Sequence, residues 1–141
     1  MVPLEVIRGL GGFDSDTFFL YCDDVDFSWR VRLHGLRVIH KPNAIVFHDK
    51  RLANTGEWMA GAAERFYSAE ASLLMAWKWS RPDLTRRYLA HFESGEDEYM
   101  RKAAQSFRRR ESQGSLPRPL DPEGSVAQFV GPNYATHRFS L

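Results

Sequence analysis

Residues 23–30 read Asp-Asp-Val-Asp-Phe-Ser-Trp-Arg, and this stretch decides how the first third of the chain is interpreted. It begins a predicted helix that runs from about Asp24 to His34, and Gly35 is a natural C-terminal stop. Three acids in the first turn suit the positive end of the helix dipole, which is one explanation for them. Arg30, on the same helix, is expected to form a structural ion pair with a neighbouring acid. A carboxylate at a loop-to-helix junction can also project into a cleft. There it can accept a proton from a hydroxyl or help to bind a divalent cation.

The residues before this helix predict a short helix and a loop. Pro3 suits the first turn of a helix that continues through Arg8, and the glycines between residues 9 and 12 end it. Asp14-Ser15-Asp16 is predicted to be a loop. Residues 17–21 are apolar and mostly aromatic, which is consistent with either a strand or a packed loop.

Two strands are predicted after the helix, over residues 36–40 and 44–48, with a turn at residues 41–43 between them. His48 ends the second strand, where α/β folds often place ligands, and a neutral imidazole binds ions such as Mn²⁺. A helix followed by a returning strand brings both ends to one side of a domain. Asp24 and His48 are therefore expected to share a cleft, although a lone histidine at a strand end also suits a structural hydrogen bond.

The middle of the chain is predicted to be helical. Residues 58–79 contain no proline and much Ala, Leu and Met. Their apolar face is predicted from helical spacing and consists of Phe66, Leu73, Leu74 and Trp77. Residues 84–92 are predicted to form a second helix. Ser94 is the predicted N-cap of a third, with Asp97 three residues later imitating a capping box. That helix ends in three arginines, which complements its dipole.

Composition divides the chain into three segments. Residues 1–56 form the first domain, residues 57–112 a helical extension and residues 113–141 an extended tail rich in Pro, Gly and Ser. Prolines prevent a long helix in the tail. Apolar residues between positions 126 and 130 are expected to dock on the body of the protein.

Overall composition describes a globular chain of 141 residues with 19 basic and 18 acidic side chains. A net charge of +1 argues against a general attraction to nucleic acid. Cys22 is the only cysteine, which excludes a disulfide framework and fits a reducing compartment. It stands between bulky aromatic residues and acids, and we expect it to be a small buried residue. The N-terminus lacks the long apolar run of a signal peptide. We therefore expect a cytoplasmic location, and peripheral contact with the inner face of the plasma membrane remains open because of Trp77 and Trp79.

The order and spacing of these motifs resemble the C-terminal half of family 2 glycosyltransferases over about residues 5–51. The matching elements are Gly11-Gly12-Phe13-Asp14, Phe18-Phe19-Leu20-Tyr21, residues 23–30, Gly35, Pro42-Asn43-Ala44 and His48. The resemblance implies an α/β fold, the C-terminal part of a GT-A domain, followed by C-terminal helices. It also implies an inverting transfer of a sugar from a nucleotide-sugar donor to a hydroxyl acceptor. The pattern is most similar to galactofuranosyl and rhamnosyl transferases that build polymers.

The resemblance also assigns roles to individual residues. Asp24 corresponds to the general base, Asp23 helps to shape the acceptor site, and His48 completes a site for Mn²⁺ or Mg²⁺. The acceptor implied is a saccharide or a lipid-linked sugar in the synthesis of cell-surface polysaccharide or glycolipid. Contacts with donor or acceptor are expected from Gly12, Lys50 and Arg51, although the last two also suit a solvated pair.

A full member of that family begins with a nucleotide-binding half that contains an Asp-x-Asp motif. Nothing before Pro3 supplies it, and Asp14-Ser15-Asp16 lies outside the motif's place. The chain is therefore expected to be the acceptor-and-base part of a larger enzyme. One alternative is a truncated, non-catalytic remnant that acts as an interaction module or self-associates. Another is a metal-dependent hydrolase that uses Asp23, Asp24 and His48.

Overall fold

The computed structural model describes residues 1–47 and 60–129, and regular structure in these ranges is helical. Helices include 53% of the described residues, and no strand occurs among them. The five helices, in chain order, are α1 (Leu4–Gly9), α2 (Asp23–Leu33), α3 (Ala62–Lys78), α4 (Pro82–Ser94) and α5 (Glu98–Ser112).

The predicted α/β fold, as the C-terminal part of a GT-A domain, is wrong for these ranges because they contain no sheet. Residues 36–40 and 44–47 were expected to be strands, yet they lie in irregular structure around a turn. The turn itself is confirmed, since the amide of Ala44 donates to the carbonyl of Lys41 at 2.9 Å. A strand needs a neighbour to complete its backbone hydrogen bonds. No other part of residues 1–47 and 60–129 runs beside this segment in that way.

Helices α3, α4 and α5 pack against one another and form the body of the protein. The apolar face predicted for α3 is confirmed at Leu73 and Leu74, which are buried, and at Phe66 and Trp77, which pack against the core. With 17 residues, α3 is the longest helix of the described ranges. No helix there combines the length and apolar composition needed to cross a bilayer. The largest fully buried side chains are Trp79, Tyr88, Phe92 and Phe107.

The N-cap of α5 is a different residue from the predicted one. Ser94 is the last residue of α4, and its hydroxyl donates to the carbonyl of Ala90 at 2.8 Å. Asp97 is the N-cap instead, because its carboxylate accepts from the amides of Tyr99 at 2.8 Å and Met100 at 3.3 Å. A short acidic side chain is as good an N-cap as serine. Because α4 continues through Ser94 and has Gly95 as its C-cap, the N-cap of α5 is Asp97 rather than the predicted Ser94.

The loop before α2 packs on the helical body. Phe18 and Cys22 are buried in the same core as Trp29, whose ring meets that of Trp79 edge-on at 5.2 Å. Residues 17–21 are therefore a packed loop rather than a strand. The burial predicted for Cys22 is confirmed. The predicted domain boundary at residues 56 and 57 lies outside the described residues.

The tail after α5 docks as predicted. Val126 is buried, and Phe129 packs edge-on against Trp29 at 5.1 Å. The indole Nε1 of Trp77 donates to the carbonyl of Pro117 at 2.9 Å. Val130 lies outside the described residues. The tail thus covers one side of α3 without forming a helix of its own.

Asp121 anchors this tail through a dense set of hydrogen bonds. Its buried carboxylate accepts from the hydroxyl of Ser125 at 2.6 Å and from the amides of Ser125, Val126 and Ala127 at 2.8–2.9 Å. Burial alone would raise the pKa of Asp121, but these donors outweigh it and lower the pKa to about 2. The carboxylate form is therefore part of the folded structure.

Asp121→Asn is expected to lower the free energy of unfolding by about 1–3 kcal/mol at neutral pH, because it removes charge-assisted acceptors. In the unchanged protein this stability is present above pH 4 and is lost as the pH falls towards 2, since the folded pKa lies below the unfolded one. Urea unfolding between pH 2 and 7 measures both effects. Glu123→Gln, on the same tail but exposed, is the control. If the unfolding free energy of Asp121→Asn fell between pH 4 and pH 2 as it does in the unchanged protein, the stabilising role of the Asp121 carboxylate would be contradicted.

Candidate functional site

A turn with strained backbone angles precedes α2. Tyr21 and Cys22 have φ of 70° and 63°, the left-handed region that non-glycine residues rarely adopt. Each such residue costs about 1–3 kcal/mol unless its surroundings hold it in place. Here Cys22 is buried in the core and the neighbouring Phe18 is buried with it. The turn therefore fixes where the first residues of α2 emerge.

The two candidate acids lie in the first turn of α2. Asp24 is exposed, and its carboxylate accepts only the amide of the next residue, Val25, at 2.8 Å among the described contacts. Asp23 is half-buried, and its carboxylate has no hydrogen-bond partner within residues 1–47 and 60–129. Both carboxylates are thus accessible to a molecule that approaches the start of α2.

The third acid of the turn, Asp26, has a different environment because it is 0% exposed. One carboxylate oxygen accepts from Nε of Arg30 at 2.8 Å. The other accepts from Nζ of Lys78 at 2.7 Å and from the indole Nε1 of Trp79 at 3.0 Å. The predicted ion pair between Arg30 and a neighbouring acid is confirmed. Asp26 is a structural residue, with donors from two helices converging on it.

Lys78 extends the cluster to a second carboxylate. Its buried ammonium contacts Oδ2 of Asp14 at 2.7 Å in addition to Asp26. Burial would raise the pKa of Asp14, but the hydrogen bonds from Lys78 and Thr17 outweigh it, so the pKa lies below its ordinary value. Two acids and two bases, Asp14, Asp26, Arg30 and Lys78, balance each other's charge. We call these four residues the ionic cluster.

Arg30 connects the ionic cluster to the glycine loop after α1. Its Nη1 donates to the carbonyl of Leu10 at 2.7 Å, and its Nη2 donates to that of Gly12 at 2.6 Å. Gly12 has φ of 74°, which explains why a glycine stands there. The position predicted to contact donor or acceptor therefore has a structural role through its carbonyl.

Helical geometry explains why neighbouring acids differ in exposure. Successive residues turn by about 100°, so Asp24 lies about 160° around the helix from Asp26, while Asp23 lies about 60° from it. The ionic cluster draws the Asp26 side inwards. Asp24 then faces solvent and Asp23 lies at the border, as their exposures show. The cluster thus sets the direction in which the candidate base points.

The remaining candidate residues, His48, Lys50 and Arg51, lie outside the described residues. Asp23 and Asp24 offer the oxygen donors that Mg²⁺ and Mn²⁺ prefer. Within the described ranges, no group of three His, Cys, Asp or Glu side chains could bind a metal ion. The predicted cation site therefore depends on His48 and stays a prediction.

Sequence reasoning missed Asp14 and Lys78. Asp14 was interpreted as a loop residue, and it lies 64 positions from its partner. Lys78 did carry a signal, because it interrupts the apolar run Leu-Leu-Met-Ala-Trp-Lys-Trp at residues 73–79. A lysine within such a run is rarely buried without an acid to pair with it.

Comparison with known proteins gave no relative of this chain. It matches no protein-family model, no curated protein and no solved structure.

Proposed function

We propose that the chain is the acceptor-binding and base-carrying part of an inverting glycosyltransferase. The proposal rests on the ordered motif of residues 11–48 and on one observation about its acids. Asp24 is exposed at the start of α2, whereas Asp26, two residues later, is buried in the ionic cluster. A base must reach its substrate and be held in a fixed direction. The contrast between the two acids supports the proposal, because Asp24 is accessible while the ionic cluster fixes the helix that carries it.

The chemistry assigned to Asp24 is proton removal. An acceptor hydroxyl attacks the anomeric carbon of the donor sugar from the side opposite the nucleotide. As the new C–O bond forms, Asp24 takes the hydroxyl proton, and the bond to the nucleoside diphosphate breaks with inversion. Asp23 is proposed to shape the acceptor site. Lys50 and Arg51 are proposed to offset the charge of the leaving diphosphate, and His48 to bind the divalent cation.

A donor screen tests this function. The full-length protein is incubated with UDP-, GDP- and dTDP-sugars in Mn²⁺ or Mg²⁺, with and without simple glycoside acceptors, and released nucleoside diphosphate is measured. We expect release from one class of donor, increased by an acceptor. The same preparation carrying Asp24→Asn serves as the blank. Absence of release above that blank with every donor would count against a transferase.

A second candidate function is that of an interaction module, and an exposed apolar segment favours it. Residues 36–47 contain six large apolar side chains that are well exposed, including Val46 at 87% and Phe47 at 95%. An apolar patch of this kind on a soluble protein commonly marks a surface that another protein covers. We call residues 36–47 the apolar segment. Its proposed occupant is a second copy of the chain.

The isolated chain is therefore expected to self-associate through the apolar segment. Val46→Lys should weaken association about tenfold or more, because a charge replaces an apolar side chain at the contact. Leu4→Lys, at an exposed apolar position on α1, should leave it unchanged. Sedimentation velocity over a range of protein concentrations measures both. A single monomeric species at all concentrations would overturn this prediction.

A further inference from the structure

A cleft between α3, α4 and α5 lies apart from the acids of α2. Its volume is about 310 Å³, at the small end of the range for ligand pockets. It shares no lining residue with the ionic cluster or with the Asp23–Asp24 pair. Its lining combines an apolar floor with a charged rim, and each part restricts the class of ligand.

The apolar part of the lining, which we call the floor, consists of Trp77, Leu89, Ala90 and Pro82. Trp77 is held in place, because its Nε1 donates to the carbonyl of Pro117 and its ring packs edge-on against Phe107 at 6.1 Å. A fixed indole offers an apolar surface at little entropic cost. Such a floor suits the apolar face of a small ring.

The rim of the cleft carries two arginines and two glutamates, so its formal charge is zero. Arg108 bridges α4 and α5, since it contacts Glu93 at 3.0 Å and Glu111 at 3.1 Å. The hydrogen bond with Glu93, and then that with Glu111, raises the pKa of Arg108. Arg86 is exposed and has no hydrogen-bond or ion-pair partner within the described residues. The rim therefore offers unused donors on Arg86 and spare acceptor positions on both carboxylates.

We propose that this cleft binds a neutral saccharide of one or two rings. A sugar ring has an apolar C–H face for the indole and hydroxyls that both donate and accept hydrogen bonds, which matches the mixed rim. A phosphate or carboxylate would meet two carboxylates beside the arginines, so the balanced charge disfavours an anion. The assignment comes from this cleft alone and does not depend on sugar transfer by Asp24.

Titration calorimetry of the full chain with maltose, cellobiose and methyl β-galactoside tests the assignment, with inorganic phosphate as the comparison. We expect at least one sugar to bind with a Kd of about 1 mM or tighter, and phosphate to bind more weakly. Arg86→Ala should weaken that binding about tenfold, because an exposed donor is lost without harm to the fold. Arg87→Ala, at an adjacent arginine that is also exposed, is the matched control and should leave the Kd unchanged.

A second variant probes the floor. Trp77→Phe keeps an aromatic ring but removes the hydrogen bond that orients it, and we expect weaker sugar binding in a protein whose circular dichroism is unchanged. The proposal is overturned if none of the three sugars binds, if phosphate binds more tightly than any of them, or if Arg86→Ala and Arg87→Ala have equal effects. Because the readout is binding, a failed donor screen leaves this result unaffected.

Discussion

Asp26→Ala is expected to lower the free energy of unfolding by about 3–5 kcal/mol, the largest effect on stability of any single substitution discussed. The change removes the acceptor shared by Arg30, Lys78 and Trp79, all within 2.7–3.0 Å of it. Two cations would then remain at the junction of α2 and α3 with only Asp14 to balance them. Urea unfolding followed by circular dichroism measures the loss.

Two controls distinguish the contribution of the ionic cluster to stability from a general sensitivity of the fold to substitution. Asp16→Asn, an exposed acid in the preceding loop, should change stability by less than about 0.5 kcal/mol. Asp26→Ala combined with Lys78→Ala should be less damaging than the sum of the single variants, with a coupling of about 0.5–3 kcal/mol. Additive losses, or an Asp26→Ala protein as stable as Asp16→Asn, would contradict the cluster's role.

The helices could be predicted from the sequence because their signals are local. The three acids at the start of α2 and the glycines after α1 each act on the residues next to them. Helix α4 was expected over residues 84–92 and runs from Pro82 to Ser94. Helix α2 was expected from about Asp24 to His34 and runs from Asp23 to Leu33. Helical spacing likewise identified the buried face of α3.

The strands could not be decided in this way, because a strand depends on a neighbour. Residues 36–40 and 44–47 have the apolar content of strands, yet they remain irregular and exposed in the described structure. The local pattern shows that a segment is able to pair as a strand, but it does not show whether a partner strand is present. The α/β interpretation is wrong because no partner strand occurs among the described residues.

The candidate site was only partly predictable for a related reason. Asp24 was selected from its place at a loop-to-helix junction. The cluster that orients it depends on Lys78, which is 54 positions away from Asp24 along the chain (78 − 24). Contacts over such a separation leave little trace in local pattern. The i, i+4 pair of Asp26 and Arg30 was predictable because both residues lie on one helix.

Asp24→Asn is expected to lower the rate of sugar transfer by about 10²–10⁴-fold, the range that general base catalysis contributes. An amide of the same shape cannot take the acceptor's proton. The fold should be unaffected, because Asp24 is exposed and its carboxylate accepts a hydrogen bond only from the amide of Val25 within the described residues. Donor affinity should also be unchanged, since the proposed base contacts the acceptor.

The stability and donor binding of this variant are measured first, so that a loss of transfer rate can be attributed to the missing base. Thermal unfolding should place Asp24→Asn within a few degrees of the unchanged protein. Equilibrium binding of the donor identified in the screen should give the same Kd for both. Asp16→Asn, exposed in the loop before α2, is carried through every step as the matched aspartate.

The single-turnover rate of transfer for Asp24→Asn, measured beside Asp16→Asn, is the most direct test of the proposed base. Our interpretation of α2 predicts a loss of about 100-fold or more in the first variant and a normal rate in the second. A rate for Asp24→Asn within a few-fold of Asp16→Asn would show that the exposed carboxylate does not remove the proton.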